Sequence, residues 1–557
     1  MIRTGMIGWP REAADRYVAS GLWRRQPLGS WVWSWADRYG NRTAMVDGAV
    51  RISYRDVAER VDSLAERLLG LGLRNGDNLL VQLPNCWEFL CLFLACQRIG
   101  VAPLLALPAH REHELAYLAD LAEVAAIAVP DTLRGFDHQS LAARIAAGRQ
   151  GSCPVLVLGG APELGHLDLS AMLSPMAGSA ERRSRLDALA PEPEEVAFFL
   201  LSGGTTGLPK IIARTHNDYE YNVRRSAEVC GFDVETVYLA VLPVAHNFAL
   251  GCPGVLGALS VGGRVVMCPS PRAEIAFPEL ARERATVTSV VPAVARTWLE
   301  AAGSAGPDLE SLRVLQVGGS VLPADLARTL APALGCALQQ VFGMAEGLLN
   351  YTRLTDPPFV ASTTQGRPIS EADEVLIVDA NGLPVEEGET GELLTRGPYT
   401  PRGYFHAPEH NARAYTTDGW YRSGDLVRRH PSGNLAVKGR IKDQVNRGGE
   451  KIALEEVEDL VRRVHGVADA AAVTLPHSAL GECVGVCVVP APGAVPTLAH
   501  IRALFQERGV AAFKYPDELR LSPTLPLTAV GKVDRKQLLN LFAVTPGPTP
   551  AALGGTS

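Results

Sequence analysis

No block of lysine and arginine stands out in this chain, and its formal net charge is -7 at pH 7. Both facts argue against a nucleic-acid surface. The N-terminus, MIRTGMIGWPREAADRY, lacks an apolar run of signal-peptide length. The 10 cysteines form no CxxC module. Cys86, Cys91 and Cys96 fall in an apolar helical stretch, and Cys483 and Cys487 fall in the strand-like CVGVCVV. All five read as small buried hydrophobes rather than metal ligands or bridges. A reducing cytoplasm fits that usage. From Thr236 to Gly263 there is no Asp, Glu, Lys or Arg. Pro243, His246, Asn247, Pro253 and several glycines interrupt that stretch, and a spanning helix would have to satisfy those breaks in hydrocarbon. It reads as buried strand, loop and helix. No internal repeat is visible.

What is present is a chain of 557 residues, 47% hydrophobic and 20% charged. That is too long for one hydrophobic core and calls for at least two domains. Strand-like runs alternate with helical patterns: NLLVQLP (78–84), VAAIAVP (124–130), PVLVLGG (154–160), RVVMCP (264–269), TVTSVVP (286–292) and LRVLQVGG (312–319). The expectation is an α/β class, with several subdomains of mostly parallel sheet covered by helices. Residues 161–194 read as connecting structure. After about residue 370 the pattern changes. EVLIVDANGLPV (374–385) predicts a hairpin turning at Asn381-Gly382, and LVRRHPSGNLAVKGR (426–440) predicts a second. Beyond Arg440 a compact α+β unit is expected, beginning with a helix in EEVEDLVRRV. The expected domains are therefore 1–440, 441–543 and a Pro/Gly/Thr-rich, disordered tail at 544–557.

The stretch LSGGTTGLPK (201–210) follows the apolar run VAFFL and suggests phosphate binding. It is not a P-loop: Gly207 is followed by Leu208-Pro209-Lys210 and then Ile211, so the lysine is displaced and the hydroxyl after it is missing. It is not a GxGxxG turn either. SGGTTGLPK does resemble the phosphate loop of the adenylate-forming superfamily: acyl-CoA synthetases, peptide-synthetase adenylation domains and firefly-type luciferases. VFGMAEG (341–347), YRSGDLV (421–427), GRIKDQVNRGGEKI (439–452) and AVGKVD (529–534) resemble later motifs of the same superfamily, in the same order. The resemblance covers roughly residues 25–542.

That resemblance implies an enzyme in which carboxylate and ATP give acyl-AMP and pyrophosphate, with Mg²⁺. The acid is already ionised, so the task is to neutralise and position two anions. Ser202, Gly203, Gly204, Thr205, Thr206 and Gly207 would wrap the β- and γ-phosphates, with Lys210 adding charge. Glu346 would hold Mg²⁺. Gly318, Gly319, Val341, Phe342, Gly343 and Met344 would wall the adenine and acyl-phosphate region. Asp425 would accept the ribose hydroxyls, with Arg440 beside them. Lys532 would be the principal catalytic residue, bridging carboxylate and α-phosphate. The family swings its small domain about a hinge, here Lys442, and lines the incoming thiol's path near Gly448 and Gly449.

LPVAHNFALGCPG (242–254) narrows the resemblance to the stand-alone aryl-acid adenylating enzymes of siderophore biosynthesis, which activate 2,3-dihydroxybenzoate or salicylate. QQVFGMAEGLLNYTR (339–353) and QGRP (365–368) strengthen it. No Asp stands within 242–254 to meet an α-ammonium group. Asn247 would bond the ortho hydroxyl and carboxylate, Phe248 would give apolar contact, and His246 matches an aromatic gate. Cys252 stands where the dihydroxybenzoate enzymes carry Ser, and Leu349 replaces a smaller Val. Both changes favour salicylate. The expected activity is a salicylate–AMP ligase that loads the phosphopantetheine thiol of an aryl carrier protein on another chain, since no globular unit is expected after residue 545. A 2,3-dihydroxybenzoate–AMP ligase, an aryl-CoA ligase and a non-catalytic nucleotide-binding module stay open, as does the oligomeric state.

Overall fold

The structure is a computed structural model that describes residues 3–149, 151–202, 209–305, 309–441, 444–447, 450–477, 481–508, 510, 512–528 and 531–543. The chain divides into two compact units, Met1–Ser423 with Arg428–Val437, and Gly424–Val427 with Lys438–Ser557.

The larger unit is α/β, and the apolar runs are its inner strands. Asn78–Val81, Ala126–Pro130 and Val155–Leu158 pair in parallel within a seven-stranded sheet. Arg264–Met267, Val287–Val290 and Val314–Gly318 belong to a nine-stranded sheet whose central pairings are parallel. Its two margins are antiparallel. Strands such as Val287–Val290 and Val314–Gly318 are buried at every position. This explains why they read as unbroken apolar runs, because helices cover both faces of the sheet.

Helix starts are set by local chemistry. Ser53 caps Tyr54–Gly70 and Thr215 caps His216–Val229, each in a reciprocal box with the Asp three residues on. The charge-free stretch contains the strand Val237–Ala240 and the short helices Asn247–Gly251 and Gly254–Ser260. No helix among the described residues is long and apolar enough to cross a membrane. All ten cysteines are free thiols, and the five singled out above are buried.

Residues 161–194 hold more structure than connecting chain, including helices Leu169–Met172 and Ser179–Asp187. Leu169, Leu173 and Leu186 anchor them in the main core. The turn at Asn381-Gly382 forms, with Gly382 at φ +79°. Its return arm is a single bridge, Val378 to Pro384, and the strand Glu374–Val378 takes Thr390–Arg396 as its main partner. The second hairpin turns at His430–Gly433 as the sequence implies.

The smaller unit is α+β. Its five-stranded sheet runs mostly antiparallel, with Glu518–Leu521 added in parallel. Two of its strands, Gln444–Arg447 and Glu450–Ala453, escaped the sequence reading, as did the helix Arg535–Ala543. The tail 544–557 lies outside the described residues.

Candidate active site

The glycine-rich segment joins two antiparallel strands, Val196–Leu201 and Ile211–Thr215, rather than a strand and a helix. Its base is closed twice. The Ser202 N–H donates to the Lys210 carbonyl at 2.9 Å, and the Lys210 N–H donates to Ser202 Oγ at 3.0 Å. Such closure fixes where the loop leaves and re-enters the sheet. Gly203, Gly204, Thr205, Thr206 and Gly207 lie outside the described residues. The Lys210 ammonium stands 5.8 Å from the centre of the Tyr404 ring.

Tyr404 leads to Glu346. Its hydroxyl donates to Glu346 Oε1 at 2.7 Å and lies 3.1 Å from the Tyr421 hydroxyl. Glu346 is 8% exposed and sits in the turn between Ala337–Met344 and Gly347–Tyr351. Burial, with this carboxylate beside it, pushes the Tyr404 phenol far up, so it stays a donor. No group of three His, Cys, Asp or Glu side chains gathers among the described residues. A metal here would rest on one carboxylate plus ligand oxygens. That donor set suits Mg²⁺, which keeps waters and phosphate oxygens.

Arg214 braces the same turn from below. It is fully buried, pairs with Asp218 at 2.8 Å, and donates to the carbonyls of Ala345 at 3.1 Å and Tyr399 at 3.3 Å. Burial pushes the Asp218 carboxyl up, and Arg214 pulls it back. Its guanidinium also lies 4.8 Å from the Tyr219 ring centre.

The predicted wall residues meet where three neighbouring strands end. Gly318 pairs with Val341, and Gly343 pairs with Leu349. The alternation of strands puts Val341 and Gly343, and likewise Leu349 and Tyr351, on common faces. A side chain at Gly318 would strike the Val341 carbonyl and the Phe248 ring, and one at Gly343 would strike the end of Leu349. Phe248 and Leu349 thus occupy the space that the glycines leave. Gly319 has φ +87°, a turn that favours glycine at the end of its strand. Phe342 and Met344, on the alternate face, are half-buried.

Above this face runs the helix Asn247–Gly251, whose N-cap is His246. The His246 Nδ1 accepts the Phe248 N–H at 3.2 Å, so this histidine has a capping role that its sequence position did not announce. Asn247 is 6% exposed, and its Oδ1 accepts the Tyr219 hydroxyl at 2.9 Å. Cys252 is 1% exposed, and burial pushes its thiol up to about 12. It is a packing residue, as expected, but its surroundings are more polar than expected. Asn222 and Tyr351 lie near it, and Asn222 Nδ2 donates to the neighbouring Gly251 carbonyl at 2.7 Å. Tyr219, Asn222, Arg214 and Tyr404 were not singled out from sequence.

In the smaller unit, Asp425 is 6% exposed within the strand Tyr421–Arg429, not in a turn. Arg440 Nε meets its Oδ1 at 2.8 Å. Lys532 occupies a tight turn. Its N–H donates to Thr528 Oγ1 at 3.2 Å, and its carbonyl accepts the Thr528 N–H at 2.6 Å. Lys442, Gly448 and Gly449 lie outside the described residues.

Comparison with known proteins shows the family. The AMP-binding enzyme family matches residues 32–405, and the AMP-binding enzyme C-terminal domain matches 456–532. A Streptomyces protein named salicylyl-CoA synthase / salicylate adenylyltransferase is 54% identical, covering 97% of this chain and 98% of its own. The Bacillus subtilis 2,3-dihydroxybenzoate-AMP ligase is 46% identical, covering 96% and 97%. The apo structure of Mycobacterium smegmatis MbtA superposes with a TM-score of 0.73 at 42% identity, covering 96% of this chain and 98% of that one.

Proposed function

The chain belongs to the AMP-binding, adenylate-forming enzymes as an ATP-dependent aryl-acid–AMP ligase, and from that premise we propose that its acid is salicylate and its acceptor the phosphopantetheine thiol of an aryl carrier protein. The observation that carries the choice of acid is the burial of the four side chains assigned to the pocket: the amide of Asn247, the ring of Phe248, Leu349 and the un-ionised thiol of Cys252. In this reading Asn247 bonds near the carboxylate, and Phe248, Leu349 and the thiol meet the rest of the ring. Relatives named for salicylate at 54% and 43% identity support the same reading.

In this reading the acid attacks the α-phosphate of ATP without a general base, since it arrives ionised. Asn247 and Phe248 hold the ring. The loop from Ser202, with Lys210, holds the outer phosphates. Asp425, braced by Arg440, takes the ribose, and Lys532 bridges the two reacting anions. Mg²⁺, when bound at Glu346, supplies neutralising charge on the phosphates. Glu346→Gln is expected to raise the Mg²⁺ concentration for half-maximal exchange several-fold, because a neutral amide is a weaker ligand for a hard cation. An unchanged magnesium titration would take Glu346 out of the metal site.

The second step needs another placement of the smaller domain, with Lys442 as hinge. Lys442→Pro restricts φ there. Thioester formation should fall several-fold further than adenylate formation in single-turnover assays, and equal losses would reject the hinge. The deciding experiment for the function is acid-dependent ATP–pyrophosphate exchange over a benzoate panel, followed by discharge of the adenylate with holo carrier protein or with coenzyme A. Faster discharge by the carrier is expected. A preference for coenzyme A would establish the aryl-CoA ligase reading, which the name of the 54% identical relative favours.

A further inference from the structure

In the proposed reading Asn247 is the polar contact on which acid selection turns, and an amide has two unlike ends. One end is a donor and the other an acceptor, so which of them faces the acid decides what the ortho substituent must be. The structure contains a device that settles the orientation. Tyr219 lies on the helix His216–Val229 and is fully buried. Its hydroxyl donates to Asn247 Oδ1 at 2.9 Å.

Nothing about this phenol is loose. Its ring meets Phe198 edge-on at 4.5 Å, Arg214 lies 4.8 Å from its centre, and a side chain at Gly251 would strike its hydroxyl. A buried phenol has to place its proton, and it places it on Asn247. Burial keeps that proton in place, pushing the phenol well above its ordinary range. Among the described residues no protein acceptor takes Asn247 Nδ2.

We infer that Tyr219 is a positioning residue for substrate choice: it holds the Asn247 amide with its NH₂ toward the acid, so that the pocket selects an ortho acceptor over an ortho donor. This rests on the aryl-acid reading of the pocket and adds a rule to it. A 2-hydroxybenzoate fits, because its phenolic proton turns to its own carboxylate and leaves oxygen lone pairs for Nδ2. A 2-aminobenzoate does not, because its nitrogen lone pair is drawn into the ring and only N–H groups face the amide. Two donors then meet in a buried site, which is costly.

The test is Tyr219→Phe, which keeps the ring packing and removes only the hydroxyl. kcat/KM is measured by pyrophosphate exchange for salicylate, 2-aminobenzoate and benzoate, in the wild type and in Asn247→Ala, each with and without the Tyr219 change. With Asn247 present, losing the phenol lets the amide turn over. The salicylate to 2-aminobenzoate ratio should fall about tenfold, while the thermal midpoint stays close to wild type. In Asn247→Ala the same change should leave that ratio unaltered. A proportional loss on all three acids, or the same ratio change without Asn247, overturns the inference. The salicylate reading fails separately, through a wild-type preference for 2,3-dihydroxybenzoate, since that acid carries the same ortho oxygen.

Discussion

Lys532→Ala is expected to lower acid-dependent ATP–pyrophosphate exchange by about 10²–10³-fold while moving the thermal midpoint by no more than about 2 °C. The two halves of that expectation have different origins. The turn around Lys532 is closed by backbone groups: the Thr528 N–H to the Lys532 carbonyl at 2.6 Å and the Gly531 N–H to the Thr528 carbonyl at 2.9 Å. The contact from Thr528 Oγ1 is also to the Lys532 main chain. Alanine keeps all three, and the half-buried lysine stem gives up little packing. What alanine removes is a compact positive charge. In the proposed reaction a carboxylate approaches an anionic α-phosphate, and no other lysine is assigned to the space between them. A positioned charge of this kind acts most strongly in the transition state, where negative charge is concentrated. The loss should therefore fall on kcat more than on KM for either substrate. Exchange near the wild-type rate would remove Lys532 from the mechanism. A large drop in thermal midpoint would instead mark it as structural.

The parts of this molecule that sequence made legible are those whose cause is local. VLQVGG declares both a buried parallel strand and the glycines at its end, and the structure puts Gly318 and Gly319 there. The Asn381-Gly382 turn is likewise short-range chemistry. The strands Gln444–Arg447 and Glu450–Ala453 were missed because they are four residues each and polar in sequence, with Val445 and Ile452 as the described core contacts, too few for a visible alternation.

The residues that arm the pocket were missed for another reason. Tyr219 acts on Asn247 from 28 positions away, Tyr404 on Glu346 from 58, and Arg214 on the Ala345 carbonyl from 131. No periodicity joins such pairs. The one signal available was a helix, His216–Val229, unusually rich in polar side chains for one so buried. Polar groups in such a place call for partners, and two of them, Tyr219 and Asn222, find theirs at Asn247 and the Gly251 carbonyl of the candidate site.

The polarity of the pocket floor sets the last expectation, which concerns the ring edge beyond the ortho position. Wild-type enzyme should prefer salicylate to 2,3-dihydroxybenzoate, and both to benzoate. A 3-hydroxyl would meet the Cys252 thiol, a poor hydrogen-bond partner, and would be crowded by Leu349, whose end lies against Gly343. A buried hydroxyl without a partner costs about 1–3 kcal/mol, roughly a tenfold to hundredfold loss of relative efficiency. Cys252→Ser restores a partner, since Asn222 beside that position can take the serine proton and leave serine oxygen to accept from the 3-hydroxyl. Leu349→Val restores room. The two sites adjoin one substituent, so the double variant should shift toward the dihydroxy acid by more than the product of the single changes. The measurement is kcat/KM for both acids in all four enzymes. Simple multiplicativity would mean that the substituent does not bridge the two positions. A wild type that already favours 2,3-dihydroxybenzoate would replace the salicylate reading with the dihydroxybenzoate one.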